Sequence, residues 1–273
     1  MTIDGKAIAA DMYAALAPKF AALSGRAGGR EVRLGIVVVG DNPVIESFVR
    51  IKTRNAEKLG IEMLRTNLAD TSSTEEIIAA VQALAERTDA VIAQLPLPKG
   101  VDTNAILAAV PKDKDVDALN PSISEEERPV HAPVALAVVE ILNRGGIDIT
   151  GKHIVVVGAG RLVGAPSAWL LKSLGADVSM FTLQEGSIEN LKSADIVVSG
   201  AGNPGFIKPE HLKQGVALVD AGTSELNKKI MGDIDPSCAD MASLYTPVPG
   251  GVGPVAVAMI FTNLLKLLEK ART

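Results

Sequence analysis

The sequence has 273 residues, of which 47% are hydrophobic and only 3% aromatic, and its formal net charge at pH 7 is -5. A chain of this length usually forms two domains, and cores with few aromatic rings are typical of buried parallel sheets built from Ala, Val, Ile and Leu. The acidic balance, without a run of Lys and Arg, argues against a nucleic-acid partner.

The N-terminal sequence does not have the basic, apolar and small-residue order of a secretory signal. The longest apolar stretch, around residues 254–265, is short for a bilayer crossing. A single cysteine, Cys238, excludes an internal disulfide and fits a reducing compartment. These features predict a cytoplasmic protein without a membrane partner.

Helices and strands alternate through the first part of the chain. Asp4 can cap a helix whose apolar residues follow helical spacing, and a buried strand comes next. The predicted elements are helix 4–23, strand 32–40, helix 43–60, strand 61–68, helix 73–87 and strand 89–98. This alternation predicts parallel strands joined by helical crossovers.

A polar, charge-dense stretch at residues 112–133 separates this part from a second series of elements. We place a domain boundary near Asn120. The later elements are helix 134–146, strands near 153–157, 176–183, 194–202 and 215–222, and a long amphipathic helix, 253–273. They predict a second α/β domain at residues 121–252, with the final helix packing back on a first domain at residues 1–120.

A glycine turn follows the strand that ends in IVVVG. Gly158, Gly160 and Gly164 lead into a predicted helix, and such a turn lets backbone N–H groups face a pyrophosphate. The spacing is G-x-G-x-x-x-G, so a tight turn without a ligand is the alternative. Two later strands end near Gly202 and Gly222 in loops that either line the same nucleotide site or are ordinary connections.

The choice between NAD and NADP is open from the residues alone. An acidic residue after the second strand of this unit would favour NAD, and a basic or hydroxyl residue would favour NADP. Residues 181–184 satisfy neither requirement cleanly. Glu185 lies one or two positions late and Arg161 lies in the glycine loop, and solvent-facing roles for both are the alternative.

Polar residues at strand ends in the first domain indicate a second site. Phe48 and Lys52 lie one turn apart on a predicted helix, Gln94 ends an apolar strand, and Asp117 lies in an acidic loop. The alternatives are a solvated lysine and an aspartate that only caps its loop.

Six segments occur in an order that identifies a resemblance: VGDNPVIESFVRIK, QLPLP, KDVDALNP, GKHIVVVGAGRLVGAP, GNPGFI and TPVPGGVGPVAVAM. Through them the chain resembles the bifunctional methylenetetrahydrofolate dehydrogenase/methenyltetrahydrofolate cyclohydrolase family. The resemblance implies a two-domain α/β fold, with a catalytic folate-binding domain completed by the C-terminal helix and a Rossmann-type domain for the dinucleotide. It also implies oxidation of a tetrahydrofolate derivative with NADP, hydrolysis of the product, a role in one-carbon metabolism and purine biosynthesis, and a homodimer.

The resemblance also assigns residues, which we group by role. The catalytic residues are Lys52, Gln94 and Asp117. The substrate-binding residues are Phe48, Pro96, Pro249, Gly250 and Gly251. The cofactor-binding residues are Gly158, Gly160, Arg161, Val163, Gly164, Thr182, Gly202, Gly222 and Thr223. No metal ligand is expected, since no Cys or His cluster has metal-ligand spacing.

Several positions depart from the family pattern. Phe48 replaces a tyrosine, which removes a hydroxyl and makes cyclohydrolase activity the less secure half of the function. Ala118 replaces a glycine, and residues 130–133 replace Pro-Cys-Thr-Pro. Ala159 and Gly160 replace an Arg-Ser pair, and residues 182–183 replace a His-Ser pair, so the usual NADP phosphate contacts are missing and NAD is also possible.

Three other hypotheses are compatible with parts of the sequence. A dehydrogenase with weak or no cyclohydrolase activity would follow from Phe48. A different two-domain dehydrogenase would explain the glycine loop but not TPVPGGVGP or QLPLP. A folate- or nucleotide-binding protein without turnover would bind both ligands and transfer no hydride.

Overall fold

The computed structural model describes residues 1–24, 31–226 and 229–271. The chain forms two compact units. The unit that we call the five-strand unit comprises Met1–Ala10 and His131–Met259, and the three-strand unit comprises Asp11–Val130 and Ile260–Thr273.

The three-strand unit begins within the first helix and alternates helices and strands. Its elements are α1 (Gly5–Ser24), β1 (Val32–Val39), α2 (Pro43–Lys58), β2 (Ile61–Leu68), α3 (Thr74–Arg87), β3 (Ala90–Ala93) and α4 (Thr103–Ala108), followed by a 3-10 turn at Lys112–Lys114. In the described part of the chain, the strands form a parallel sheet in the order β2–β1–β3.

Local sequence explains where these elements begin. The Asn42 side chain accepts a hydrogen bond from the Val44 N–H at 2.9 Å, and Pro43 occupies the first turn of α2. Ser73 and Glu76 form a capping box at the start of α3. The central strand β1 is almost entirely buried, as expected for a parallel strand covered on both faces.

The five-strand unit repeats the alternation with a larger sheet. Its elements are α5 (Pro133–Arg144), β4 (His153–Val157), α6 (Gly164–Ser173), β5 (Asp177–Phe181), β6 (Ile196–Ser199), β7 (Ala217–Asp220), β8 (Ser224–Leu226), β9 (Lys229–Met231), β10 (Leu244–Tyr245) and α7 (Val252–Lys270), with 3-10 turns at Ile188–Ser193, Pro209–His211 and Pro236–Asp240. The sheet is parallel in the order β10–β7–β6–β4–β5, and β8 and β9 form an antiparallel hairpin.

The α/β class with parallel sheets is confirmed, and two details differ from the expectation. The strand expected over residues 89–98 ends at Ala93, since Pro96 and Pro98 have no N–H to continue a ladder. Helix α4, the β8–β9 hairpin and β10 were not expected, because they are too short to show a period. Residues 272–273 of the expected C-terminal helix lie outside the described residues.

Helix α7 contributes residues to both units. Within the three-strand unit, the ring of its Phe261 meets the Tyr13 ring edge-on at 6.1 Å. Its Asn263 amide donates to the Val116 carbonyl oxygen at 2.8 Å. The second half of α7 therefore belongs to the core of that unit.

The expectation that the C-terminal apolar stretch is too short to cross a membrane is wrong, because the helix that contains it is long enough. The helix over Val252–Lys270 is long and apolar enough by length and composition, and 61% of its most apolar window is buried in the fold. A single helix of this kind is weak evidence for a membrane span, because a buried core helix meets the same criteria.

Candidate active site

Lys52 lies on the buried face of α2. The neighbours on that face, Ile45, Val49 and Ala56, are buried, and Lys52 itself is only 9% exposed. Burial of an amine in apolar surroundings disfavours its charged form, and it lowers the pKa of Lys52 below the ordinary lysine value. Lys52 is therefore not a solvated lysine.

Gln94 is fixed at both ends of its side chain. It follows β3, and its backbone N–H donates to the Val37 carbonyl oxygen at 3.0 Å. Its amide nitrogen donates to the Leu95 carbonyl oxygen at 2.6 Å, and its amide oxygen accepts from Lys52 Nζ at 2.8 Å. The end of the strand thus aims one acceptor at the buried lysine.

Asp117 supplies the negative charge that acts on Lys52. Burial raises the pKa of Asp117, and the Lys52 charge opposes that rise; conversely, Asp117 raises the pKa of Lys52 against the effect of burial. The loop's hydrogen bond from the Asn120 N–H, at 2.8 Å, goes to the neighbouring Asp115. Desolvation raises the pKa of Asp115 to about 6. The structure thus brings Lys52, Gln94 and Asp117 into one polar cluster.

The loop that follows Asp117 has an unusual backbone. Ala118 is buried and adopts a left-handed conformation with φ of 54°. Arg128 stabilises the loop by donating to the carbonyl oxygens of Ala118, Asn120 and Ile123. The alanine thus keeps a backbone geometry that favours glycine, which was the residue expected from the family pattern.

Phe48 and Pro96 lie in the same unit as this cluster. Phe48 is 38% exposed on α2, next to the exposed side chains of Val44 and Ile51. Pro96 is exposed and follows a cis peptide bond. An exposed ring beside a buried lysine is available to stack on a flat ligand.

The other expected substrate residues belong to the five-strand unit. Pro249 follows a cis peptide bond and is exposed. The Gly250 carbonyl oxygen accepts from the Gly5 N–H at 2.9 Å, and the Gly251 N–H donates to the Pro247 carbonyl oxygen at 2.8 Å. These contacts shape the turn that leads into α7.

A cavity of ≈ 330 Å³ lies at the carboxyl ends of the strands in the five-strand unit. Ligands bind at this edge of open parallel sheets. Its lining includes the expected residues Gly160, Arg161, Val163, Gly202, Gly222 and Thr223. Sequence reasoning missed Leu162, Gly200 and Ala221, although Gly200 and Ala221 each directly follow a buried strand, which is the signal that identifies such positions.

Two further expected glycines hold the glycine turn together rather than line the cavity. A Cβ on Gly164 would lie 1.8 Å from the Gly158 carbonyl oxygen, and Gly158 itself has φ of 95°. By contrast, a Cβ on Gly160 would point into open space. The strand end and helix start are thus in close contact, while the middle of the turn is open on the cavity side.

This arrangement fits a dinucleotide. The N-cap residue of α6 is Val163, whose side chain makes no capping hydrogen bond. In the first turn, the Ala165 N–H donates to the Gly160 carbonyl oxygen at 3.2 Å, and Pro166 has no N–H. The positive end of the helix dipole favours a negatively charged pyrophosphate at this helix start, where Gly160 leaves open space.

Thr182 is not among the residues that line this cavity. Its hydroxyl oxygen accepts from the Glu185 N–H at 3.0 Å, and its own N–H donates to the Glu185 carbonyl oxygen at 3.0 Å. The segment therefore closes into a tight turn, with Glu185 exposed. Among the described residues, no group of three or more His, Cys, Asp or Glu side chains is arranged to hold a metal ion.

Family models match nearly the whole chain. Residues 3–117 match the tetrahydrofolate dehydrogenase/cyclohydrolase catalytic domain, and residues 132–272 match the NAD(P)-binding domain of the same family. The chain belongs to this family. The resemblance found in the sequence motifs is thereby confirmed, and the hypothesis of an unrelated two-domain dehydrogenase is wrong.

Individual members of the tetrahydrofolate dehydrogenase/cyclohydrolase family are similar over their full lengths. The bifunctional protein FolD of Solibacter usitatus is 36% identical, across 98% of this chain and 97% of that protein. The crystal structure of FolD from Campylobacter jejuni superposes with a TM-score of 0.92 at 31% identity, covering 99% of each chain. The Trypanosoma brucei enzyme, solved with NADP and an inhibitor, gives a TM-score of 0.91 at 32% identity, covering 100% of this chain and 98% of that one.

Proposed function

We propose that this chain oxidises 5,10-methylenetetrahydrofolate to 5,10-methenyltetrahydrofolate with NAD(P), and then hydrolyses the product to 10-formyltetrahydrofolate. The observation that carries the proposal is the buried hydrogen bond of 2.8 Å between Lys52 and Gln94 in a chain that matches the family over both domains. Burial of a lysine with one acceptor costs free energy of folding. Buried ionisable groups of this kind occur most often at functional sites.

The oxidation requires alignment rather than a protein base. The two nitrogens beside the methylene carbon donate electron density as a hydride leaves that carbon, which becomes the methenyl carbon. A bound nicotinamide supplies the hydride acceptor. The chain contributes the open glycine turn at Gly160 for the pyrophosphate and the loops at Gly202 and Gly222 for the remainder of the nucleotide.

The hydrolysis requires proton transfer. Water adds to the methenyl carbon, a carbon–nitrogen bond of the five-membered ring breaks, and the released nitrogen takes up a proton. Lys52 moves the proton, since burial lowers its pKa toward the range in which it can both accept and donate. Gln94 orients its amino group, and Asp117 accepts hydrogen bonds from the pterin amino and ring N–H groups.

A specific observation favours a second candidate, a dehydrogenase with weak or no cyclohydrolase activity. Phe48 lies one turn before Lys52, and its ring has no hydroxyl to hydrogen-bond or relay a proton. In this candidate the oxidation is unaffected and the methenyl compound accumulates. A homologue that binds folate and nucleotide without turnover is the third candidate.

NADP is the proposed cofactor, with NAD as the alternative. Arg161 is the basic residue among those that line the nucleotide cavity, and it supports the 2′-phosphate of NADP. The turn at residues 182–185 carries no basic residue that would share this task. Replacement of Arg161 by a neutral residue should therefore reduce the affinity for NADP more than the affinity for NAD.

The wider setting of the reaction is also part of the proposal. The chain acts in cytoplasmic one-carbon metabolism and purine biosynthesis as a homodimer, without nucleic acid or membrane as partners. Support comes from the family resemblance and the acidic composition. The proposed folate domain comprises residues 1–120 with helix 253–273, and the proposed nucleotide domain comprises residues 121–252, whereas the compact units divide after Ala10, Val130 and Met259.

A spectrophotometric assay with 5,10-methylenetetrahydrofolate tests these candidates. Reduced cofactor and the methenyl compound are followed together, with NADP and NAD in separate reactions. Reduced cofactor without methenyl accumulation, beyond the spontaneous rate of hydrolysis, supports both activities. Accumulating methenyl compound supports the dehydrogenase alone, and binding without turnover supports the third candidate.

A further inference from the structure

Two aspartates lie fully buried beneath the nucleotide cavity. Asp220, the last residue of β7, is 1% exposed, and Asp233, which follows β9, is 0% exposed. Neither lines the cavity, and the proposed reaction uses neither. A buried carboxylate is unfavourable unless hydrogen bonds compensate for its lost hydration. The donors of those hydrogen bonds therefore show which segments the carboxylate holds in place.

The partners of Asp233 come from one cavity loop. Its Oδ2 accepts from Ser199 Oγ and from the Ala201 N–H, both at 2.7 Å, and its Oδ1 accepts from the Asn203 N–H at 2.7 Å. The loop between these donors contains Gly200 and Gly202, which line the cavity. A single carboxylate therefore sets the position of residues 199–203.

Asp220 connects Asp233 to a second cavity loop. Its Oδ1 accepts from the Gly222 N–H at 2.9 Å and from the Asp233 N–H at 3.2 Å, and its Oδ2 accepts from the Ile234 N–H at 2.8 Å. Its own N–H donates to Thr246 Oγ1 at 2.7 Å. The carboxyl group thus ties the Gly222 loop to the segment that carries Asp233.

Two glycines make room for these carboxyl groups. A Cβ on Gly222 would lie 2.4 Å from Cγ of Asp233, and a Cβ on Gly232 would lie 2.1 Å from Oδ2 of Asp220. Each glycine therefore packs directly on the carboxyl group of the other segment. The cluster is a closed hydrogen-bonded unit of two carboxyl groups, and no third metal-ligating side chain joins it within the described part of the chain.

We infer that Asp233, held in place by Asp220, is a positioning residue for the nucleotide: it fixes the spacing between the loop at residues 199–203 and the loop at residues 220–222. The inference rests on the proposed function, since it takes the cavity to be the dinucleotide site. Asp233 acts through the backbone of the loops that touch the nucleotide and does not itself touch it.

The substitution Asp233→Asn tests this with little change of shape. An amide has one acceptor where the carboxylate has two, so at least one of the donors from Ser199, Ala201 and Asn203 loses its acceptor. A buried donor that loses its acceptor is unfavourable, and movement of the loop relieves the loss. We expect the Kd for NADP, measured by calorimetry, to rise about tenfold, and that for Ser199→Ala about threefold.

A matched control lies two residues further along the same segment. Asp235 is half-buried and accepts from the N–H and hydroxyl of Ser237 rather than from a cavity loop. Asp235→Asn is expected to leave the Kd for NADP within about twofold of the wild-type value. In ¹⁵N-edited NMR spectra, the amide protons of Ala201 and Asn203 should move upfield in Asp233→Asn and not in Asp235→Asn.

The Kd for 5,10-methenyltetrahydrofolate, measured without nucleotide, serves as the internal reference, because every candidate function includes folate binding. A rise in the NADP Kd with the folate Kd retained supports the positioning role. An unchanged NADP Kd in Asp233→Asn, or an equal loss of both affinities, overturns it, and Ser199→Ala decides the question if Asp233→Asn does not fold. A wild-type chain that binds neither NADP nor NAD contradicts the proposed function instead, so the two failures are distinguishable.

Discussion

The Lys52 cluster and the nucleotide cavity differ in what holds their functional groups. At the first, two buried side chains contact each other directly, through the Lys52–Gln94 hydrogen bond. At the second, backbone loops form the lining, and glycines with little room around them keep the loops in place. A site made of side chains depends on residue identity, whereas a site made of backbone depends mainly on local geometry.

The largest expected effect is at the contact between β4 and α6. Gly164→Ala places a methyl group 1.8 Å from the Gly158 carbonyl oxygen, which is backbone and cannot rotate away. We expect the free energy of unfolding to fall by about 3 kcal/mol or more. Chemical denaturation followed by circular dichroism measures this change.

Gly160→Ala is the matched control in the same turn. Its methyl group meets open space, so the free energy of unfolding should change by less than about 1 kcal/mol. The affinity for NADP should nevertheless fall roughly tenfold, since the added group narrows the approach to the backbone. Equal stability losses in the two variants would show that the cavity is not built by backbone contact.

The next prediction concerns the charge that acts on Lys52. Burial lowers the pKa of this lysine and the negative charge of Asp117 raises it. Asp117→Asn removes the opposing effect, so the pKa of Lys52 should fall further and the neutral amine should form at lower pH. NMR titration of protein labelled with ¹³C at the lysine side chains measures the shift.

Asp113→Asn is the control for this titration, because Asp113 is exposed in the same acidic segment. The exposed charge is screened by solvent, and we expect no change in the titration of Lys52. A Lys52 resonance that titrates as an ordinary lysine in the wild type would contradict the buried position assigned to it.

The smallest expected effect is at Ala118. Its φ of 54° is sterically unfavourable for a residue with a Cβ, whereas glycine adopts it without that cost. Ala118→Gly should raise the free energy of unfolding by about 0.5–1 kcal/mol, partly offset by the greater entropy of the unfolded chain. Thermal unfolding measures the difference, and a loss of stability would mean that Arg128 and its contacts favour the alanine.

The sequence predicted the alternation of helices and strands because burial and capping are local signals. The largely apolar β1, the Asn42 cap and the Ser73–Glu76 capping box can each be recognised from a short local sequence. The short β10, of two residues, pairs with β7 through contacts distant in sequence. A strand this short has no hydrophobic periodicity from which it could be predicted.

The site residues also divide into those that sequence motifs identify and those that only contacts in the fold reveal. Lys52 and Gln94 were found by motif, and their contact across 42 residues appears only in the fold. Asp220 and Asp233 were missed, since aspartates at strand ends are common and most of the donors to their carboxyl groups are backbone N–H groups, which have no sequence signature. Thr182 was expected to bind the nucleotide, yet its hydroxyl oxygen accepts a hydrogen bond from the Glu185 N–H within a local turn.

The most direct test of the account is hydrolysis of 5,10-methenyltetrahydrofolate by wild type, Lys52→Met and Lys58→Met, without nucleotide and corrected for spontaneous decay. Lys58 lies exposed on the same helix and serves as the control. We predict catalysed hydrolysis by the wild type and Lys58→Met, and a loss of about 10²–10⁴-fold in Lys52→Met. Equal hydrolysis by all three proteins would contradict the role of the buried lysine.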